Sequence, residues 1–451
     1  MKQKSFKFPP IKLHPENPHY LLFRGKPTVL ITSGEHYGAV LNLDFDYIQY
    51  LNELKSKGLN LTRTFSGFYH EVVGAFNIKN NTLAPVSADK YICPWNRTDS
   101  PGAEDGMNKF DLTDWNQQYF TRLKDFVSQA SKRGIVVEFV LFCVFYDDSM
   151  WNICPMKYTN NINNVEKIER KDFFSLKNKR LLRYIDNFVR KVVTELNEFD
   201  NLYYEIINEP YTSERPTQEW QNHIISQIIK TESKLKYKHL IAQNIANYSA
   251  RIIKPNRNVS IFNFHYARPP TVVGLNYHLN RVIAYDETGF DGYKDSVYRK
   301  QAWDFIIAGG GVFSNLDYSF TSDRENGTAK VDAPGGGSPE LRKQMKILKK
   351  FIHSFNFIKM KPDEPVINFY LPLGTTARAL VDEGKQYAVY INGENVKYLL
   401  FVLPKGNYIA EWVNTKTGNI VRKEKFKHTG GEKKLELPKY TEDIALRILG
   451  K

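Results

Sequence analysis

The chain has 451 residues, 42% of them hydrophobic and 14% aromatic, with three cysteines and a formal charge of +14. That length can bury one large core and a smaller one, so two domains are expected. The charge raises nucleic acid as a partner, but the densest basic runs, RKQMKILKK (342–350) and RKEKFKH (422–428), mix apolar or acidic residues with the lysines and match no recognition motif, which excludes a dedicated nucleic-acid surface.

In chain order, NPHYLLFRGKP within residues 1–27 reads as a hairpin that plugs the bottom of the larger domain. PTVLITS (27–33) reads as a strand, FDYIQYLNELKSKG (45–58) as a helix closed by Gly58, and LNLTRTF (59–65) as a second strand. After a long polar loop (66–110), DLTDWNQQYFTRLKDFVSQASKRG (111–134) predicts a helix capped by Asp or Thr and stopped at Gly134. IVVEFVLF (135–142) is the third strand, and a second long loop (143–175) carries Trp151 and Cys154. Helix 176–198 leads to strand NLYYEIIN, helix 216–235 to HLIAQNI, and a short helix near 249–254 to VSIFNFHY. A weaker segment, 267–281, precedes VIAYDE; helix 294–308 precedes GVFSNL; helix 338–354 closes the series.

Eight strand–helix pairs over residues 28–357 have the period of a (β/α)8 TIM barrel, and no GxGxxG follows the first strand to suggest a doubly wound sheet. From 358 to 451 the turn signals EGK, NGEN, PKGN, TKTGN and TGGEK separate short alternating runs, the signature of a small all-β sandwich. Cys143 sits in an apolar run, a Cys93–Cys154 bridge stays open, and no His or Cys cluster has zinc spacing, so neither metal nor cofactor is expected. No segment reaches the length of a membrane span, so no membrane insertion is expected. MKQKSFKFPP lacks an apolar signal-peptide core, which points to a cytoplasmic protein or a trimmed exported form.

In such a barrel, polar residues at the carboxyl ends of the strands face the active-site mouth. Those ends supply Glu35 and His36, Arg63, Asn208 and Glu209, His265 and Tyr266, and Asp286 with Glu287. Two carboxylates thus reach one rim from strands four and seven, the pair that glycosidic-bond cleavage requires. Strand alternation sends only one of Asp286 and Glu287 inward, and Glu205 shares the face of Glu209, where it can pair with a cation.

YYEIINEPY is very similar to the strand-four motif of the clan-A glycoside hydrolases, and AYDETGF resembles their strand-seven nucleophile motif. With LITSGEHYGAV and LNLTRTFSG ahead of them, the nearest likeness is to cellulase-family, family-five-like enzymes, across almost the whole chain. The resemblance implies a retaining glycoside hydrolase acting on a β-linked oligo- or polysaccharide, with Glu209 as acid/base and Glu287 as nucleophile. It implies Asn208 on the sugar 2-hydroxyl, Arg63 lowering the nucleophile's pKa, and His265 and Tyr266 beside the nucleophile. Two departures stand out. His265 and Tyr266 are adjacent where the clan has His-x-Tyr, and strand eight offers Phe313, Tyr318 and Phe320 in place of a stacking Trp.

Each residue has a plainer reading. Asn208 and Glu209 could cap the next helix, Arg63 could be a structural cation, Glu35 and His36 could be rim residues, and Trp151 could pack its own loop instead of stacking on substrate. The C-terminal segment resembles modules named for collagen binding, so the alternative function is a non-catalytic carbohydrate- or matrix-binding protein.

Overall fold

The computed structural model describes residues 8–211, 216–331, 334–367 and 371–451. Eight strands form one parallel sheet: β1 (Leu30–Gly34), β2 (Leu61–Phe65), β3 (Val136–Cys143), β4 (Leu202–Asn208), β5 (Ile241–Asn247), β6 (Ile261–His265), β7 (Val282–Thr288) and β8 (Val312–Leu316). Their order is β1-β8-β7-β6-β5-β4-β3-β2. Nearly every strand residue is buried, as expected of a parallel sheet covered on both faces. The seam between β1 and β2 is joined by one side chain: Asn60 accepts from the Ile31 N–H at 2.9 Å and donates to the Val29 carbonyl at 3.0 Å.

The outer layer is α1 (Tyr47–Ser56), α2 (Gln117–Lys132), α3 (Lys179–Leu196), α4 (Gln218–Glu232), α5 (Thr271–Asn276), α6 (Asp295–Ile307) and α7 (Pro339–Ile352). On α3 the residues Leu181, Ile185, Phe188, Val192 and Leu196 recur on one buried stripe, which is why this stretch is helical. The fold is a TIM barrel followed by an all-β domain.

Two predicted elements differ. Residues 108–115 are not the start of α2 but a strand, Asn108–Trp115, paired with Trp95–Pro101. The helix starts at Gln117 because Asn116 is its cap, its side chain accepting from the Gln118 and Tyr119 N–H groups. No helix forms near 249–254. Pro255 disfavours helical geometry in the residue before it, and Asn276 satisfies this segment instead, accepting from the Ile252 N–H and donating to the Ala250 carbonyl.

Ahead of the barrel, Lys12–Leu13, Leu21–Phe23 and Lys26–Thr28 form a small antiparallel sheet. Its Ile11, Leu21 and Phe23 pack against Leu30, Val136 and Val312, near the starts of the barrel strands, and fill that end. At the other end of the chain a six-stranded and a two-stranded antiparallel sheet enclose a core that includes Trp412, Val389 and Phe401. The predicted turns fall between these strands. This domain docks on α6, where Arg299 pairs with Asp443 at 2.6 Å and Trp303 stacks on Tyr390 at 5.6 Å. Cys93, Cys143 and Cys154 are free and buried, so the Cys93–Cys154 bridge is not formed. No helix among the described residues is long and apolar enough to cross a membrane.

The seam gives a stability test. Asn60→Ala strands a buried N–H and a buried C=O, and we expect a loss of about 2–4 kcal/mol in urea unfolding; a loss below about 0.5 kcal/mol, the range of an ordinary surface change, would show that the seam does not need this bridge.

Candidate active site

The strand ends build the site through three departures from regular geometry. Glu209 follows β4 with φ of 50°, and Tyr266 follows β6 with φ of 51°. In β7 the register slips: Phe264 pairs with Tyr285 but His265 pairs with Glu287. Asp286 is the extra residue of this bulge, and the alternation that should have turned one of the two acids outward is broken. Both are buried and inward. Asp286 joins Glu138 and Glu205 in the barrel interior, while Glu287 joins Glu209 and His265 at the mouth.

Glu287 is held by three donors. The Tyr37 hydroxyl reaches Oε2 at 2.9 Å, Arg63 Nη1 reaches Oε2 at 3.1 Å, and the Tyr266 hydroxyl reaches Oε1 at 3.1 Å. Glu209 faces a different set: the Tyr146 hydroxyl donates to Oε2 at 2.6 Å and His265 Nδ1 lies 2.9 Å from Oε1. One oxygen of each glutamate and a ring nitrogen of His265 lie within 4.8 Å of one another. Arg63 is both a structural and a site cation. It clasps Glu205 through Nε at 2.9 Å and Nη2 at 2.8 Å, and donates to Asn208 Oδ1 at 2.6 Å. Asn208 in turn donates to the Tyr146 hydroxyl at 3.0 Å.

The adjacency of His265 and Tyr266 is therefore no obstacle. The bulge and the left-handed turn at Tyr266 aim two neighbouring side chains into one mouth. Burial would lower the proton affinity of His265, but the carboxylates of Glu287 and Asp286 outweigh it and hold the imidazole well above its usual range. Burial would raise Glu209, yet the bonds from His265 and Tyr146 hold it below the usual carboxylate range. Of the two, His265 is therefore the group that favours the proton. Deeper in the barrel, burial pushes Glu205 up to about 7 despite Arg63, and raises Glu138 well above its usual value. Arg63 spans the two acidic groups, pairing with Glu205 in one and Glu287 in the other.

The pocket is lined by His36, Tyr37, Tyr146, Asn208, Tyr266 and the two glutamates, with Glu71, Phe76 and Phe290 at its sides. Three predicted contacts lie elsewhere. Glu35 turns back on its own loop, accepting from the Gly38 N–H at 2.9 Å and the Thr82 hydroxyl at 2.6 Å. Trp151 is buried against Phe145 and Phe173, so its ring packs the loop. Tyr318 is buried behind His36 and Phe290. Phe313 and Phe320 are buried in the core, and the half-exposed rings of Phe76 and Phe290 stand at the mouth instead. Tyr37, Tyr146, Tyr211, Glu71, Phe76 and Phe290 were not singled out by sequence. For Tyr37, Tyr146, Tyr211 and Phe290 the available signal was an aromatic residue two or three places past a strand end; Glu71 and Phe76, farther along the loop after β2, carried no such signal.

A family described as Domain of unknown function (DUF6298) matches residues 79–238, which include Asn208 and Glu209 but neither Arg63 nor Glu287. No curated protein matches the chain. Among solved structures, a candidate glycoside hydrolase from Bacteroides vulgatus ATCC 8482 is similar with TM-score 0.71 at 13% identity, covering 99% of this chain and 83% of that one. A family 5 glycoside hydrolase from the same organism gives TM-score 0.66 at 13% identity, covering 99% and 95%. A family 5 mannosidase from Rhizomucor miehei gives TM-score 0.51 at 11% identity, covering 78% and 100%. At these identities the likeness establishes the shared fold.

The buried acids predict a pH dependence of stability. Burial raises Glu35 and Glu205 to about 7 and Glu71 to about 8, from 4.5 when exposed. The folded state then binds more protons than the unfolded one, so stability falls as pH rises through that window. Below pH 6.5 this is opposed by His36 and His70, held down to about 3 by burial, which take up protons only on unfolding. Thermal denaturation should give a Tm that falls clearly between pH 6.5 and pH 8.5, from the values about 7 and about 8 above; a flat Tm across that interval would contradict the assignment.

Proposed function

We propose that the protein is a retaining glycoside hydrolase that cleaves a β-linked oligo- or polysaccharide, with Glu287 as nucleophile and Glu209 as acid/base. The observation that carries this reading is that two differently environed glutamates, from the ends of β4 and β7 of one barrel, bring one carboxylate oxygen each to within 4.8 Å. A retaining double displacement uses carboxyls about 5–5.5 Å apart, whereas an inverting enzyme leaves about 6.5–9.5 Å for a water. The names of the similar structures, glycoside hydrolases and a mannosidase, support the same reading.

The two roles follow from the partners. Glu287 accepts from Arg63, Tyr37 and Tyr266, which aim it at the anomeric carbon. Glu209 is beside a protonated histidine. A glycosidic oxygen seated against it removes water and raises its proton affinity, drawing the proton from His265 Nδ1 at 2.9 Å onto Glu209, which passes it to the leaving oxygen as the glycosidic C–O bond breaks. Once the glycosyl ester has neutralised Glu287, Glu209 returns as the base that takes a proton from the attacking water. Asn208, fixed by Arg63 and Tyr146, presents its amide to the 2-hydroxyl. The non-catalytic alternative gives no reason to bury two such glutamates in one network with Arg63.

Glu209→Gln and Glu287→Gln should each lower kcat/KM on a β-linked glycan by about 10³-fold or more. Azide should rescue Glu287→Ala, and proton NMR of the first product should show the β-anomer. Full activity in either glutamine variant would end the assignment, and an α-anomer from the wild type would replace retention with inversion.

A further inference from the structure

We propose that Glu71 and His36 form a second polar anchor in the mouth, one that binds a single hydroxyl of an uncharged sugar and sets specificity beyond the glutamate pair. The proposal rests on the glycosidase reading for what enters the pocket. Glu71 comes from the loop after β2, is buried, and lines the same pocket as Glu209 and Glu287. Its position is fixed on three sides. Its N–H donates to the Leu83 carbonyl at 2.9 Å, Asn81 Nδ2 donates to Oε2 at 2.5 Å, and the Tyr69 hydroxyl lies 3.4 Å from Oε1. Gly38 lets this loop close in: a Cβ there would lie 1.9 Å from the Thr82 carbonyl oxygen. Glu35 then ties the same Thr82 by its hydroxyl.

The gap between the two side chains is the informative feature. His36 Nε2 stands 3.8 Å from Glu71 Oε1, too far for a hydrogen bond between them. One ligand hydroxyl can span such a gap, accepting from one group and donating to the other. His36 Nδ1 has no hydrogen-bond partner among the described residues, so nothing on the protein fixes the ring's tautomer against a ligand.

Both groups are uncharged at neutral pH. Burial pushes the Glu71 carboxyl up to about 8, with the charges of Glu287 and Asp147 adding and the bonds from Asn81 and Tyr69 opposing. Burial, helped by Arg63, holds His36 down to about 3. Tyr318 and Cys143 complete the titratable groups that face Glu71, and burial pushes both up, so neither ionises in this range. Asn81 gives Oε2 a short bond at 2.5 Å and Tyr69 gives Oε1 a long one at 3.4 Å, so Oε1, the oxygen nearer His36, is the freer of the two to carry the proton. The arrangement is a carboxylic O–H donor beside an imidazole. No Lys or Arg lines the pocket among the described residues, so a uronic acid would find no cation on the pocket wall to pair with.

The test separates this proposal from the glycosidase reading. Glu71→Ala should raise KM for an uncharged β-linked glycan about tenfold at pH 6.5 with kcat changed less than about threefold. Glu71→Gln, which keeps a donor toward the ligand, should recover at least half of that loss. It should also abolish the rise in KM that the wild type shows as pH passes about 8. Calorimetric titration of Glu287→Gln with cellobiose, β-1,4-mannobiose and digalacturonate should show binding of an uncharged disaccharide, weakened by adding Glu71→Ala, and none of the acidic one. Equal KM in the Ala and Gln variants, a flat wild-type KM through pH 8, tighter binding of digalacturonate, or no binding of either uncharged probe would overturn the proposal. If the wild type hydrolyses no glycan, the glycosidase reading falls, and the titrations still decide the anchor.

Discussion

One guanidinium organises this barrel. Arg63 is 2% exposed, and its nitrogens hold Glu205 from β4, Glu287 from β7 and Asn208 at the end of β4. Its carbon also lies 4.5 Å from the Tyr37 ring centroid and 5.5 Å from that of Phe65. A buried cation costs several kcal/mol in desolvation and is tolerated only with such complete pairing. The fork geometry matters as much as the charge. A lysine would present one point charge and could not hold Glu205 side-on while reaching Glu287 and Asn208. Strands two, four and seven are thereby fixed relative to one another at their carboxyl ends, where positional error would be most damaging.

Below the mouth, Arg63 faces more acid than it can neutralise. Glu138, Glu205 and Asp286 offer oxygens within 4.8 Å of one another, all fully buried. Asn263 donates to Glu138 at 2.7 Å, but neither oxygen of Asp286 has a hydrogen bond among the described residues. Such a layer is stable near neutral pH only if it keeps protons, which is the direction in which burial moves Glu138 and Glu205. His265 stands between the two layers, with Nδ1 on Glu209 and Nε2 at 3.6 Å from Asp286. The negative interior is thus one reason the imidazole holds its proton where Glu209 can reach it.

The sequence carried the barrel and the pair of glutamates because both are encoded locally. Fully buried strands read as apolar runs, helices as 3.6-residue stripes, and a carboxylate at the end of an apolar strand is too costly to stand there unless a site needs it. What escaped it depends on single backbone angles and on tertiary packing. Tyr37 and Phe290 lie at φ of 61° and 58°, values that non-glycine residues rarely take and that no composition announces. The bulge at Asp286 reverses an alternation argument that is sound for regular strands. Trp151, on the short helix Asp148–Asn152, and Phe76, in the single turn Ala75–Asn77, lie in connections too short for a periodic signal, where only the folded chain decides which ring is covered and which stays open. The +14 charge misdirects for a related reason: it belongs to the outer surface, while the pocket is lined by carboxyls.

The all-β domain has a place in the same chain of support. Its Asp443 and Glu442 hold Arg299 of α6 at 2.6 and 2.9 Å, and Tyr390 stacks on Trp303 one helical turn further along. Between those two positions α6 carries Gln301, whose side chain accepts from the Thr288 hydroxyl at 2.5 Å and the Tyr285 hydroxyl at 3.0 Å, and donates to Asp291 at 2.7 Å. Thr288 is the residue after Glu287, and Asp291 follows Phe290 at the pocket wall. The helix that the second domain grips is therefore the helix that pins both ends of the turn after β7. A domain remote from the mouth is in this way part of what holds β7 in register, since the bulge that brings Glu287 inward would otherwise be free to relax toward ordinary alternation.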